Sequence, residues 1–208
     1  NILILGDSHS ECSLNDSLID HCINLSQSGD GYFYTYYKFK KLIEANPDIH
    51  TLILGYSHNV FLVHDDKWIY GEDYLGFKYP KYSQLISVED KLFLFEKNPG
   101  AYLTAFKDAL MAKSKLLFKS NICIYDKADW GRYHFLVRDK IPQIKRELQN
   151  VNFVRNNSDS SVKLISTLNL LYLKKIVNYC KEKNIKLILF RSPMHQLNKR
   201  DFEMELID

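Results

Sequence analysis

The stretch Asn1-Ile2-Leu3-Ile4-Leu5-Gly6-Asp7-Ser8-His9-Ser10 opens the chain. Its aliphatic run is short and does not alternate with polar residues. That is the pattern of a strand buried on both faces, as in a parallel sheet. Gly6 punctuates the run, so Ser8 lies just past the strand's carboxyl end. Open α/β sheets place their ligands at that edge. A helix following Ser8 would aim its unpaired N–H groups at the region of the serine oxygen. Such a place suits a nucleophile and an oxyanion, although a polar turn or helix cap would use the same residues. Asp7 is expected to cap the turn, and His9 to be a structural or substrate-side residue before it is a base.

Further along, Cys22 to Leu25 forms a second short strand, Thr51 to Leu54 a third and Ile185 to Phe190 a fourth, broken at Ser192-Pro193. Between them, Tyr32 to Ala45 has helical spacing, with Tyr32, Tyr36, Phe39 and Ile43 on one face and a stop at Asn46-Pro47. Thr167 to Lys183 is the clearest helix, turning Leu173, Ile176, Val177 and Cys180 inward and stopping at Asn184. Strands alternating with helices predict parallel βαβ units in a layered α/β sheet. The stretch from about 60 to 166 breaks this rhythm. It is rich in Tyr, Phe and Lys, with helices expected near Val88 to Glu96 and Gly100 to Phe118 and a strand at Tyr133 to Val137. We treat it as a mainly helical insertion: a packing layer, a partner surface or a lid over a site. Its Trp68 and Trp130 are expected to pack rather than to stack on a sugar.

The chain has 208 residues, 46% of them hydrophobic and 25% charged, which suits one globular domain and argues against disorder. The net charge of +3 is scattered. Lys38 to Lys41 and Lys181 to Lys186 are expected to be solvated helix faces. No nucleic-acid-binding pattern is present. Cys12, Cys22, Cys123 and Cys180 form no CxxC pair, and His50, His58 and His64 lack a ligand pattern, so neither a metal nor another cofactor is expected. No apolar run reaches the ~20 residues that span a bilayer. The chain begins at Asn1, without Met and inside a strand, so residues that carried an anchor or export signal are allowed for upstream.

Three strands end in polar, Gly-containing loops: Gly6-Asp7-Ser8, Asn24-Leu25-Ser26-Gln27-Ser28-Gly29-Asp30, and Gly55-Tyr56-Ser57-His58-Asn59. If the strands are parallel neighbours, with the first between the second and third, all three loops meet at one edge. Their convergence is more specific than any one of them. Asp30 is expected to cap the helix at Tyr32.

On these residues the chain resembles the SGNH (GDSL-type) hydrolases over roughly residues 1–60 and 165–195. Gly6-Asp7-Ser8 matches the family's first block, which carries the nucleophile. Ser28-Gly29-Asp30 matches the second, whose glycine N–H serves the oxyanion hole. The third block, GxND, matches imperfectly: Ser57 stands where the Asn belongs, with Asn59 two residues on. The DxxH block that supplies acid and base is missing. Its nearest imitation is Ser192-Pro193-Met194-His195, which lacks the acid, so His195 is a weak candidate base and the family's pair is expected beyond Asp208.

The resemblance implies a three-layer α/β/α domain with a flavodoxin-like parallel sheet. It also implies a serine esterase or O-acyltransferase. Ser8 would be the nucleophile, and Ser8, Gly29, Ser57 and Asn59 the oxyanion-hole candidates. The substrate would be a small-molecule or glycan acyl ester, and the setting extracytoplasmic, at the cell envelope. A non-catalytic binding or scaffold domain is the alternative, favoured by the missing acid–His pair and the altered third block. A flavodoxin-like phosphate-binding module is weaker, because the first loop has one Gly and no P-loop Lys.

Overall fold

A computed structural model describes residues 1–61, 66–117, 130–134 and 165–192 of the chain. The architecture is α/β, with four parallel strands in the order β2-β1-β3-β4: β1 (Ile2–Leu5), β2 (Cys22–Asn24), β3 (Thr51–Gly55) and β4 (Lys186–Phe190). The first strand is central, as expected. Ile2 is level with Cys22 on one side and Thr51 on the other, and Thr51 with Lys186, so the strands end together. The loops that follow β1, β2 and β3 therefore leave from one edge.

One face of the sheet carries the core. Leu3, Leu5, Leu52 and Leu54 are fully buried there. Above them lie α2 (Tyr32–Ala45) and α7 (Thr167–Glu182). These helices interlock through aromatic pairs, Phe33 with Tyr172 and Phe39 with Tyr179, at ring-centroid distances of 4.7 and 5.5 Å. Such pairs add about 0.5–1.5 kcal/mol each beyond the area they bury. The buried surface of α2 is wider than the single stripe expected, because Phe33, Tyr34 and Tyr37 are also enclosed while Tyr36 is only half-buried. Asn184, with φ +53°, closes the turn after α7 and lets β4 begin.

On the other face, α1 (Ser8–Ser13) packs close to the sheet. Ser10 is wholly buried there, and a Cβ at Gly6 would come within 2.6 Å of its hydroxyl oxygen. A Cβ at Gly55 would overlap that oxygen outright. The two glycines thus set how near the start of α1 approaches β1 and β3.

The segment between β3 and α7 is mainly helical where it is described: α3 (Lys67–Tyr70), α4 (Glu72–Tyr82), α5 (Val88–Lys97) and α6 (Pro99–Leu117). The helices at α5 and α6 match expectation, whereas α3 and α4 had no clear periodic signal. Pro80 sits inside α4, and its aromatics alternate with lysines. Ile69, Leu75, Tyr79, Tyr82 and Leu94 join the same core as the strand leucines, so this segment packs against the sheet's own layer. Tyr133 and His134 lie in no regular element, and 135–137 fall outside the described residues.

Among the described residues no helix is long and apolar enough to cross a membrane. Lys38 corrects the expectation of a solvated lysine face. Its side chain is 1% exposed, because position 38 faces inward on α2 and its ammonium reaches Asp30. Lys181, Lys183 and Lys186 are exposed.

Candidate active site at the carboxyl edge of the sheet

Ser8 is the first residue of α1, and Asp7 is its cap. The Asp7 carboxylate accepts the His9 N–H at 3.0 Å, as the expected turn cap requires. Its other oxygen faces the His9 Nδ1 at 3.2 Å and accepts the Ser57 hydroxyl at 3.2 Å. Burial alone would raise the Asp7 pKa. The hydrogen bonds and charge of His9, with help from Ser57, outweigh it and hold the group below the usual carboxylate value. His9 in turn is raised, chiefly by its hydrogen bond to Asp7 and against the effect of its own burial. His9 is therefore spent on Asp7. Among the described residues its ring makes no hydrogen bond to the Ser8 hydroxyl. Ser8 Oγ is exposed and makes no hydrogen bond among the described residues.

The loop after β2 comes alongside. Glu11, one turn beyond Ser8, accepts both the N–H of Ser28 (2.8 Å) and its hydroxyl. Gly29 follows with φ +73°, a left-handed conformation that suits glycine, and a Cβ there would lie 2.8 Å from the Trp68 ring. The N–H groups of Ser8 and Gly29 have no acceptor among the described residues. Asp7, Ser8, His9, Ser28, Gly29 and Gly31 line one cavity of about 360 Å³, and Val60, Trp68 and Asn169 are also part of its wall. Trp68 thus does border the site, although its ring is also packed against Tyr74, with centroids 4.0 Å apart.

Asp30 is not the helix cap expected. Gly31 holds that position without a side-chain bond, and the Tyr32 N–H is accepted by Asn169 Oδ1 at 3.1 Å. The Asp30 carboxylate instead turns inward to a fully buried cluster. Lys38 Nζ lies 2.6 Å from Oδ2, Lys78 Nζ bonds Oδ1, and the Tyr82 hydroxyl donates to Oδ2 at 3.0 Å. Desolvation pushes the Asp30 pKa up, but the two ammonium groups win and lower it. The reason for the correction is the second lysine. Lys78, on α4, also donates to Ser28 O at 3.2 Å and so fixes the same loop from below.

Of the expected oxyanion donors, Ser8 and Gly29 are brought together. Ser57 gives its hydroxyl proton to Asp7 and is not among the residues lining the cavity. The Asn59 side chain and His195 lie outside the described residues. Three residues with clear roles carried no sequence signal: Glu11, Lys78 and Asn169. Among the described residues no group of three His, Cys, Asp or Glu side chains is placed to hold a metal. Comparison with protein-family models, with curated proteins and with solved structures gave no match to this chain.

Proposed function

We propose that the chain is an SGNH-type domain, with the three-layer α/β/α arrangement of that family, and a serine esterase or O-acyltransferase for O-acyl groups. A carbohydrate ester at the cell envelope is the proposed substrate. One observation carries this: the Ser8 hydroxyl, at the start of a helix, shares a cavity with the unbonded N–H groups of Ser8 and Gly29. In the reaction, Ser8 Oγ bonds the ester carbonyl carbon while its proton passes to a histidine base. The carbonyl π electrons move onto oxygen, where the two N–H groups receive the charge. One such donor is typically worth about 3 kcal/mol in the transition state. Collapse expels the alcohol, which takes the proton, and leaves acyl-Ser8. Water then gives hydrolysis, and a sugar hydroxyl gives transfer. His195, which lacks the family's acid partner, is a weak candidate for that base.

A non-catalytic binding domain is the second reading. It is favoured by the Ser8 hydroxyl having no hydrogen-bonded base among the described residues, with His9 turned to Asp7. Hydrolysis of p-nitrophenyl acetate, with and without imidazole as an external base, separates the two. The esterase reading expects Ser8-dependent turnover, slow without imidazole and accelerated by it, with acetyl-Ser8 visible by mass spectrometry. Turnover unchanged in Ser8→Ala, or none in either buffer, gives the binding reading the lead.

A further inference from the structure

An oxyanion needs donors that are unspent in the resting site. The Ser57 hydroxyl is committed to Asp7. Asn169 is placed differently. It sits on the first turn of α7, is 2% exposed, and lines the cavity together with Ser8 and Gly29. Its side-chain oxygen is identified by its partner: Oδ1 lies 3.1 Å from the Tyr32 N–H, which can only donate. The other end is therefore the amino group, with two protons. One is directed at Asp66 Oδ1 across 3.4 Å, longer than an ordinary N–H···O bond. The second has no acceptor among the described residues. The amide nitrogen thus has one long bond and donor capacity to spare. Asn169 lines the cavity, so a ligand oxygen entering it meets this side chain.

The side chain is also held rigidly. Ser166 caps α7 by accepting the Asn169 N–H at 3.0 Å and donates its hydroxyl to Asp66 at 2.6 Å. Gly31 leaves room for the amide, since a Cβ there would lie 3.1 Å from Asn169 Oδ1. A fixed donor at a cavity wall is the arrangement that favours charge developing in the transition state over charge in solution.

We propose that Asn169 is the third oxyanion donor, giving its free amide proton to the acyl carbonyl oxygen beside the N–H groups of Ser8 and Gly29. The assignment rests on the esterase reading above. It puts the third donor on α7 instead of on the loop after β3.

The two ends of the amide can be tested separately. Asn169→Asp keeps an oxygen for the Tyr32 N–H and removes the amide donor, whereas Asn169→Ala removes both. The probe is an alkyl fluorophosphonate applied to the 208-residue chain with imidazole present. Ser8 Oγ bonds phosphorus, the P–F bond breaks, fluoride leaves and imidazole takes the proton. The phosphoryl oxygen then occupies the oxyanion position. Asn169→Asp is expected to slow labelling of Ser8 by about 10²-fold or more, and to lower the melting temperature because it sets a second buried carboxyl group beside that of Asp66. Asn169→Ala is expected to lose both rate and stability. Should Asn169→Asp fail to melt cooperatively, Asn169→Ser takes its place, with the same expected loss. A wild-type labelling rate in a folded variant lacking the amide overturns the assignment alone. A wild-type chain that does not label at Ser8 overturns the esterase reading and this assignment with it.

Discussion

Replacing Lys78 by Met removes an ammonium group that is 2% exposed and that holds both Asp30 Oδ1 and Ser28 O. An exposed pair would be worth about 0.2–1 kcal/mol. Losing one member of a buried pair costs about 3–5 kcal/mol, because the remaining charge is left short of partners. Asp30 keeps Lys38 at 2.6 Å and the Tyr82 hydroxyl at 3.0 Å, so Lys78→Met is expected near the lower end, about 3 kcal/mol. Asp30→Asn leaves two buried ammonium groups beside a neutral amide and is expected near the upper end, about 5 kcal/mol. Because the two residues touch, the double variant should fall about 2 kcal/mol short of additivity. Urea unfolding at a constant m-value reads these differences. In melting temperature, Lys78→Met corresponds to a loss of about 6–12 °C for a chain of this size. The pH dependence has a definite sign. The Asp30 pKa is lowered on folding, so its contribution is fully present above the ordinary value of 3.8 and is lost as pH falls through the lower folded value. In Lys78→Met that folded value rises, and acid unfolding begins at higher pH. A Lys78→Met cost below about 1 kcal/mol, or strict additivity in the double variant, would refute this account of the cluster.

Three further outcomes are expected. Gly29→Ala, at φ +73° and against Trp68, should cost about 1–2 kcal/mol in stability and slow phosphonate labelling of Ser8; normal labelling at normal stability would show the loop to be permissive. The Asp7–His9 pair should stabilise most between the two groups' ordinary values, 3.8 and 6.5, where the acid is ionised and the imidazole charged. That advantage over His9→Ala should fade as pH rises through the elevated His9 pKa and as pH drops through the depressed Asp7 pKa, so a pH-independent difference in melting temperature would contradict the pairing. Gly55→Ala should cost about 1–3 kcal/mol by driving a methyl into the Ser10 hydroxyl, with Ser10→Gly in the same chain restoring part of the loss in a thermal melt.

The sheet was legible because its signal is local. Runs such as Ile2 to Leu5 and Thr51 to Leu54 have few ways to be buried, and the βαβ rhythm then sets their parallel order. The helix Tyr32–Ala45 was legible to the residue, since its apolar spacing and the Asn46-Pro47 stop agree. α4 was not, because nothing local marks Lys78 as buried until Asp30 is placed beneath it. The site divides in the same way. Ser8 and Gly29 are marked by their positions just past strand ends. Asn169 lies 137 residues from the backbone N–H it accepts, and no spacing rule connects the two. The error at Asp30 has the same origin: an Asp two residues before a helix looks like a cap until a lysine from a distant helix competes for it.

The buried Asp30 also bears on modularity. Its carboxylate belongs to the loop after β2, one neutralising lysine to α2, and the other to a helix in the long segment between β3 and α7. A segment that only covered a site could be trimmed, lengthened or exchanged between proteins while the scaffold stayed intact. This one supplies half of the charge balance under the Gly29 loop. A graft in either direction must therefore carry Lys78 and Asp30 together. The segment is constrained to change in step with the sheet on which it rests, and new substrate preferences would have to arise through its cavity-facing positions rather than by wholesale replacement.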